Sequence, residues 1–549
     1  MPAAATVGAL VGGLWQAARA RRELIPLLAM VAIAAAARFA TLGVQSFDSG
    51  ETITAARILH PSLGATFHAM ATIERSGPLY YTLAWCWAKL FGTGETALRS
   101  LSAILGTATI PVVFLAAREL CSRRAALIAA LLAALCPDLL WYAQEARSYP
   151  LFILLSAAAL YFFARSLRRP TRGSLAGWAV ASALALATHY FAIFTIAAEA
   201  GWLLAAGAGR RRGPATAIAG VAAAGFALLP LAIAQEGTSR ANGFTTVPVL
   251  ERGASALVKF MAGEGPATSG QWAAIPTLSR VVGIVALVGF ASALALVRLR
   301  GGPRDRAGVA VAGGIGAIAF LAPLGLALAG LDYVEPRNLL GSLVPFLIVA
   351  AAGIDVTLRL VGRRPRPRLA LAAPAVAVVA PFAAMIAATA AVPSLQRDDW
   401  RAISALLRAD GPAGLIITQP ASAGKPLRYY FGHPLRPLGQ SDFPCGVRAS
   451  SIVTLSRNLP EPLPRSGFRL VSVVETAQRW EIATYRAPRP RRLDAQEVRI
   501  LDIVNGNEAA RVDAASRRPG VGPRAGPRAA DRVRGARDRG PRRAFVTRG

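Results

Sequence analysis

The sequence predicts a mainly α-helical protein that crosses a membrane many times and carries a small α/β domain toward its C-terminus. Three observations predict it. Of 549 residues, 54% are hydrophobic and only 17% are charged, with a mean hydropathy of +0.43. The apolar residues fall in runs of roughly 20, the length at which a helix rising ~1.5 Å per residue crosses hydrocarbon. Short arginine clusters punctuate those runs, and past residue 392 the pattern changes to strand-like alternation.

The apolar runs lie near 24–44, 96–120, 125–142, 150–167, 174–188, 191–207, 215–235, 279–297, 307–330, 339–357 and 369–392, which makes about 11 spans. No cleavage-site pattern follows the first run, so it reads as a retained span. The clusters Arg19/Arg21/Arg22, Arg123/Arg124, Arg165–Arg172, Arg210–Arg212, Arg298–Arg306 and Arg359–Arg368 mark the cytoplasmic side. An even number of crossings then separates neighbouring clusters. Leu79–Phe91 is apolar but only 13 residues long, short of the roughly 17 a span needs. It reads as a helix lying flat on the outer surface, with Tyr80, Tyr81, Trp85 and Trp87 at the interface. The expected organisation is a cytoplasmic N-terminus 1–23, a transmembrane domain 24–392 with a first outer loop 45–95, and the C-terminus outside.

Residues 393–487 read as an extracytoplasmic α/β domain. A helix runs from Asp398-Asp399-Trp400 to Leu407, followed by strands at Leu415–Thr418, Ser451–Leu455, Leu470–Val474 and Trp480–Tyr485. No Gly-rich phosphate loop or Ser-His-Asp arrangement marks it as catalytic. Residues 488–549 read as a disordered basic tail: 510–549 hold 12 Arg against 3 Asp, a surplus of +9, among Pro, Gly and Ala. The net charge of +31 therefore belongs to loops and tail and is not a nucleic-acid footprint. Cys86, Cys121, Cys136 and Cys445 show no metal spacing; only Cys86 and Cys445 share the outer side, where two free thiols are favoured over a disulfide.

With this topology the chemistry collects on the outer rim. It comprises Asp48 and Glu51, Glu74 and Arg75, Gln144-Glu145-Ala146-Arg147-Ser148-Tyr149, His189-Tyr190, and Tyr333-Val334-Glu335-Pro336-Arg337, with Arg38 at the outer end of the first span. Charge near hydrocarbon is costly unless it meets water, a partner or a substrate. Carboxylates can take a proton from an attacking hydroxyl, and guanidinium forks hold phosphate oxygens in pairs. Each group also has a plain structural reading. Asp48 and Glu51 can cap a helix, Glu74-Arg75 and Gln144–Arg147 can be salt-bridged loops, His189 can be a hydrogen-bonded turn residue, and Arg337 can pair with Asp332 or Glu335. Their joint placement on one side favours function.

The motifs in this order resemble the GT-C membrane glycosyltransferases, in particular the bacterial branch similar to protein O-mannosyltransferases and lipid A aminoarabinose transferases (glycosyltransferase family 39-like). The resemblance rests on Phe47-Asp48-Ser49-Gly50-Glu51-Thr52, on Pro78-Leu79-Tyr80-Tyr81, and on Leu98-Arg99-Ser100-Leu101-Ser102. Trp141-Tyr142-Ala143-Gln144-Glu145-Ala146-Arg147-Ser148-Tyr149 is its most specific element; His189-Tyr190-Phe191, Tyr333–Arg337 and Asp399-Trp400-Arg401 complete it, so that it covers about residues 20 to 485. It implies a GT-C-like fold, a polyprenyl-phosphate-linked sugar as donor, inverting transfer, a first-loop carboxylate as base, and phosphate-binding arginines at Arg38, Arg147 and Arg337. Some relatives use a divalent metal, but no ligand set for one is readable here. Two departures matter. The family's adjacent Asp-Glu is replaced by Gly50-Glu51 with Asp48 displaced, which leaves the base open between Asp48 and Glu51. Its Pro-Pro-Leu becomes Gly77-Pro78-Leu79.

The resulting expectation is a multi-pass glycosyltransferase of the cell membrane, surrounded by membrane lipids and binding no nucleic acid. Its active site faces the extracytoplasmic side and moves a sugar to a hydroxyl of a lipid, glycan or protein. The competing readings are a transporter or flippase of lipid-linked substrates, which would carry polar residues or broken helices at mid-span, and a sugar-binding protein with a lapsed site.

Overall fold

The computed structural model describes residues 24–206, 212–236, 247–263, 277–362, 373–409, 415–419, 421–431, 435–437, 447–456, 467–493 and 508–512. The chain divides into two compact units, one of Met1–Val44 with Arg57–Leu395, the other of Gln45–Ala56 with Gln396–Gly549.

The first unit is helical. Its helices are α1 (Leu24–Phe39), then, skipping a short α2 that belongs to the second unit, α3 (Leu63–Ile73), α4 (Leu79–Phe91), α5 (Glu95–Leu120), α6 (Arg123–Leu135), α7 (Pro137–Ala143), α8 (Tyr149–Arg168), α9 (Arg172–Thr188), α10 (Ala192–Ala206), α11 (Arg212–Glu236), α12 (Val249–Ala262), α13 (Thr277–Arg300), α14 (Pro303–Leu328), a 3-10 turn Pro336–Ser342 running into α15 (Leu343–Gly362), and α16 (Ala373–Ala391). Among the described residues each expected apolar run holds a helix. Among the described residues six helices are each long and apolar enough to cross a membrane alone, and the α6–α7 pair, bent by 55°, makes a seventh. Shorter apolar helices, α1, α10 and Ala375–Ala391 of α16, stand at three of the other expected spans, and the 17-residue α9 stands at the fourth, 174–188. The chain is a multi-pass membrane protein.

Small residues let these helices pack closely. Along α6, Ala125, Ala126, Ala129, Ala130, Ala133 and Ala134 are all buried, and α6 packs on both α5 and α15, as close membrane packing requires. Gly353 serves the same end: a Cβ there would stand 2.7 Å from Cα of Ala293. Ser122 caps α6 by accepting from Ala125 N at 3.1 Å. Its backbone N–H reaches Asp305 Oδ1 at 2.9 Å, and Arg359 joins Asp305 and Asp355 at 2.7 and 2.8 Å. That network ties the α5–α6 turn to the start of α14 and the end of α15.

α4 is a helix of 13 residues that buries Tyr80, Tyr81 and Ala84 and packs on α3 and α5. Two helices were not expected. α3 lies inside the first outer loop, and α12 lies inside the long stretch 236–278 that reads as a loop.

The second unit is a mixed six-stranded sheet with helices. Its strands are β1 (Leu415–Gln419), β2 (Leu435–Pro437), β3 (Val447–Ser456), β4 (Arg469–Glu475), β5 (Glu481–Leu493) and β6 (Glu508–Val512), in the order β2-β6-β1-β3-β5-β4. β1 and β3 are parallel, with Leu415 opposite Ile452; the other pairs are antiparallel. Leu415, Ile417, Ile452, Ala483 and Tyr485 form its core, and Trp400, opening α17 (Trp400–Ala409), packs edge-on to Trp480 at 5.1 Å. The four expected strands are present. Two strands reach into the segment expected as a disordered tail: β5 continues to Leu493, and β6 pairs with both β1 and β2. The rest of that tail, and the N-terminus 1–23, lie outside the described residues.

The first-loop acidic motif belongs to this second unit and not to the helical domain. Ser46 Oγ donates to Asp398 O at 2.6 Å and accepts from Trp400 N at 2.8 Å. Phe47 is fully buried; its N–H donates to the Tyr430 hydroxyl at 2.6 Å, and its ring meets that of Tyr429 at 5.8 Å. Tyr429 and Tyr430 lie on α18 (Gly424–Phe431), which packs on α2 (Ser49–Ile53).

Candidate active site

In the helical unit the expected rim residues converge. Glu74 closes α3 and Arg147 sits in the turn between α7 and α8. Arg147 donates from Nη1 to Glu74 Oε2 at 2.7 Å and from Nη2 to Oε1 at 3.1 Å, and both side chains are buried. Burial works against the charge of Arg147, yet Glu74 outweighs it and holds the guanidinium well above its ordinary range. Arg75, half-buried, reaches the Glu236 carbonyl at 3.5 Å, and its charge acts on Tyr333.

His189 and Tyr190 form the turn between α9 and α10. The His189 ring stacks on Phe152 at 4.8 Å and lies 5.8 Å from the Tyr149 ring. Burial lowers its pKa to about 4, with Glu74, Arg337 and Arg147 acting on it electrostatically, so it is neutral at physiological pH. Tyr190 donates to Gln235 Oε1 at 2.9 Å, and burial pushes its hydroxyl up to about 12. Gln235 in turn donates to the Ser76 carbonyl at 3.2 Å. Tyr333 donates to Glu236 Oε1 at 2.6 Å, and that bond raises its pKa. Half-buried Arg337 is ion-paired with Glu335.

Arg38 and Gln144 take a different part from the one expected. Pro137 has no N–H to offer the Ala133 carbonyl, one helical turn back, so α6 ends with unsatisfied acceptors. Arg38, fully buried, supplies donors: Nη2 to Ala133 O at 3.3 Å and Nη1 to Ala134 O at 3.3 Å and Ala34 O at 3.2 Å. Gln144 Nε2 donates to Ala37 O, Arg38 O and Thr41 Oγ1 at 3.1, 3.0 and 2.7 Å, closing the end of α1. Both hold the α1–α6–α7 junction. Glu145 is buried in the same turn, its carbonyl accepting from Arg147 N at 2.8 Å.

Several contributors were missed. Gln235 and Glu236 end α11; two polar residues closing an apolar span on the rim side were the available signal. Arg252 of α12, buried, donates to Asp332 Oδ1 at 2.9 Å and Val334 O at 2.7 Å, and so fixes the segment carrying Tyr333, Glu335 and Arg337. Its bonds hold the Asp332 carboxyl below the usual range.

An apolar slot of about 520 Å³ opens between α9, α10 and α11, lined by Trp178, Leu186, Tyr190, Ile196, Val221 and Phe226 among others. Tyr190 joins it to the polar cluster.

In the second unit Asp48 and Glu51 form a reciprocal capping box. Glu51 N donates to Asp48 Oδ1 at 2.8 Å and Asp48 N to Glu51 Oε2 at 3.1 Å, at the start of α2. Glu51 is fully buried and Asp48 half-buried. A π-turn, Thr54–Ile58, follows, a geometry frequent at functional sites. Among the described residues no group of three or more His, Cys, Asp or Glu side chains is arranged to hold a metal.

Residues 75–233 match the family model described as dolichyl-phosphate-mannose-protein mannosyltransferase. The fold is similar to that of ArnT from Cupriavidus metallidurans bound to undecaprenyl phosphate, at 16% identity over 83% of this chain and 97% of that one, with a TM-score of 0.50. The apo form of the same protein matches at 15% identity over 83% and 97%, TM-score 0.49. The archaeal oligosaccharyltransferase AglB from Archaeoglobus fulgidus is more distant, at 14% identity over 75% and 60%, TM-score 0.43. No curated protein matches the chain in sequence. The stretch matched by the family model holds Arg75, the Gln144–Tyr149 turn and His189-Tyr190, and the fold that carries it is similar to that of ArnT.

Proposed function

We propose that this protein transfers a sugar from a polyprenyl-phosphate donor to a hydroxyl of a lipid, glycan or protein acceptor, with inversion, at the extracytoplasmic face. The observation that carries the reading is the union of three guanidiniums, Arg75, Arg147 and Arg337, with an apolar slot that begins at Tyr190. A phosphate on an isoprenoid chain needs both a place for charge and a place for hydrocarbon. The ArnT relative is described as bound to undecaprenyl phosphate, a ligand of this kind. Arg147 is held in place by Glu74, so its orientation is set before donor arrives. Arg75 and Arg337, half-buried, are the more accessible cations.

In the reaction a first-loop carboxylate accepts the acceptor O–H proton, the oxygen bonds to the anomeric carbon, and the bond from that carbon to the phosphate oxygen breaks. The arginines meet the charge that develops on the departing phosphate. Asp48 is favoured as the base over Glu51 because it is half-buried and reachable, whereas Glu51 is enclosed.

The test is to incubate purified full-length protein with a panel of polyprenyl-phosphate sugars and follow donor consumption by mass spectrometry. Release of free polyprenyl phosphate from at least one donor supports the proposal; no consumption of any donor, with acceptor extracts present, refutes it.

A further inference from the structure

The apolar slot between α9, α10 and α11 has two unlike ends. One is Tyr190, whose hydroxyl donates to Gln235; Gln235 donates in turn to the carbonyl of Ser76, next in sequence to Arg75. The other is Trp178, further along α9 from that polar cluster. The flanking helices run in step. A Cβ on Gly225 of α11 would meet Leu186 of α9 at 3.9 Å, and one on Gly213 would meet Leu175 at 3.1 Å. That register sets Ile218, the slot residue nearest the start of α11, within a helical turn of the level of Trp178. The slot therefore stops at one level on both helices. From Ile218 to Ala232 it follows α11 for ~21 Å, at ~1.5 Å per residue.

Trp178 is held in place by a carboxyl. Its indole N–H donates to Glu199 Oε2 at 2.7 Å, and both side chains are buried. Glu199 is the one acidic residue of α9 and α10, and α11 carries none before Glu236. A carboxyl within a span is costly unless it meets a partner, and here the partner is the indole at the end of the slot. Losing either group would leave the other buried without its bond, so the pair fixes the ring where the slot stops. An isoprene unit advances an extended chain by four bonds of ~1.5 Å, or ~5 Å along their zigzag. About four units therefore fill the slot.

We propose that Trp178, oriented by Glu199, sets how much of the donor's isoprenoid chain the protein recognises: the units nearest the phosphate, as far as the indole and no further. This rests on the polyprenyl-phosphate reading above. The test measures KM and kcat of the full chain in nanodiscs, with donor expressed per mole of lipid, for geranyl, farnesyl, geranylgeranyl and undecaprenyl phosphate sugars. In wild type, KM is expected to fall from geranyl to geranylgeranyl and to stay level from there to undecaprenyl. Trp178→Leu with Glu199→Leu removes both partners, so neither is stranded, and opens the far end. There undecaprenyl should gain roughly tenfold in KM over geranylgeranyl, the worth of further buried methylenes. Glu199→Gln keeps an acceptor for the indole and should keep the wild-type profile. Ala200→Phe fills the same end without making a cavity, so the levelling should come at farnesyl even if the leucine pair misfolds. The changes should lie in KM and not in kcat. A wild-type KM that does not depend on chain length overturns the proposal and leaves the slot to bilayer acyl chains. So does a profile unmoved by the replacements, or one weakened alike for every donor. Consumption of no donor by wild type would instead sink the polyprenyl-phosphate reading itself.

Discussion

Arg147 closes two parallel bonds on the Glu74 carboxylate, at 2.7 and 3.1 Å, with both side chains buried. Lysine keeps the charge and loses the fork. Arg147→Lys is therefore expected to weaken donor use roughly tenfold to hundredfold, the worth of one charge-assisted bond at ~1.5–3 kcal/mol. Arg337→Lys should act in the same direction. Glu74→Gln strands a buried cation and should cost about 3–5 kcal/mol of stability. Donor titration and thermal unfolding of the three variants measure these effects, and wild-type values in all three would reduce these residues to spectators.

Gly77 is a point of backbone contact between the start of α4 and the end of α9. A Cβ there would stand 2.1 Å from the Ala187 carbonyl oxygen. Backbone on both sides cannot step away as a flexible side chain would, so Gly77→Ala should cost about 2–3 kcal/mol as an overpacked site. The melting temperature in detergent checks it. This contact also accounts for glycine where the family resemblance led us to expect a first proline.

His189 is buried and neutral, with its pKa lowered from 6.5 to about 4. The unfolded chain takes up this proton first as pH falls, so the stability it contributes is complete above about 6.5 and is lost progressively down to about 4. The loss is on the order of 3 kcal/mol. Unfolding followed between pH 7 and 4 should show that slope, and His189→Phe, which keeps the stack on Phe152, should flatten it. An unchanged slope in the variant would mean that other groups carry it.

How much of this was legible in the sequence follows from the range of each signal. Hydropathy is local, so the apolar runs were all recognised as helices. The Gln144–Tyr149 turn stood out because a dense polar stretch is rare between spans. The part played by Arg38 was not legible, because it depends on Pro137, about a hundred residues away, leaving Ala133 and Ala134 without donors. Nor was the attachment of residues 45–56 to the C-terminal unit, which rests on Ser46 and Phe47 meeting Asp398, Trp400 and Tyr430. α12 escaped because its buried Arg252 and Lys259 break the apolar pattern that marks a span.

Orientation rests on the arginine clusters and can be read by labelling. In a background lacking Cys86 and Cys445, cysteines at exposed Phe91 and Leu331 should react with a membrane-impermeant thiol reagent from outside. Cysteines at exposed Pro170 and Arg304 should be protected until the membrane is opened. Labelling of 170 and 304 from outside would invert the proposed topology.

The first-loop carboxylates carry the proposed proton transfer, and the capping box makes them cleanly testable. Asparagine is as good an N-cap as aspartate, and glutamine serves as well as glutamate at the third helical position. Asp48→Asn and Glu51→Gln therefore keep the Asp48–Glu51 bonds and remove only charge. The decisive measurement is donor consumption by wild type, Asp48→Asn and Glu51→Gln side by side, with donor binding measured in parallel. Wild type should turn over, Asp48→Asn should bind donor and release no polyprenyl phosphate, and Glu51→Gln should lose less. Wild-type turnover in both variants would contradict a first-loop carboxylate as the base, and a dead Glu51→Gln beside an active Asp48→Asn would exchange the two roles.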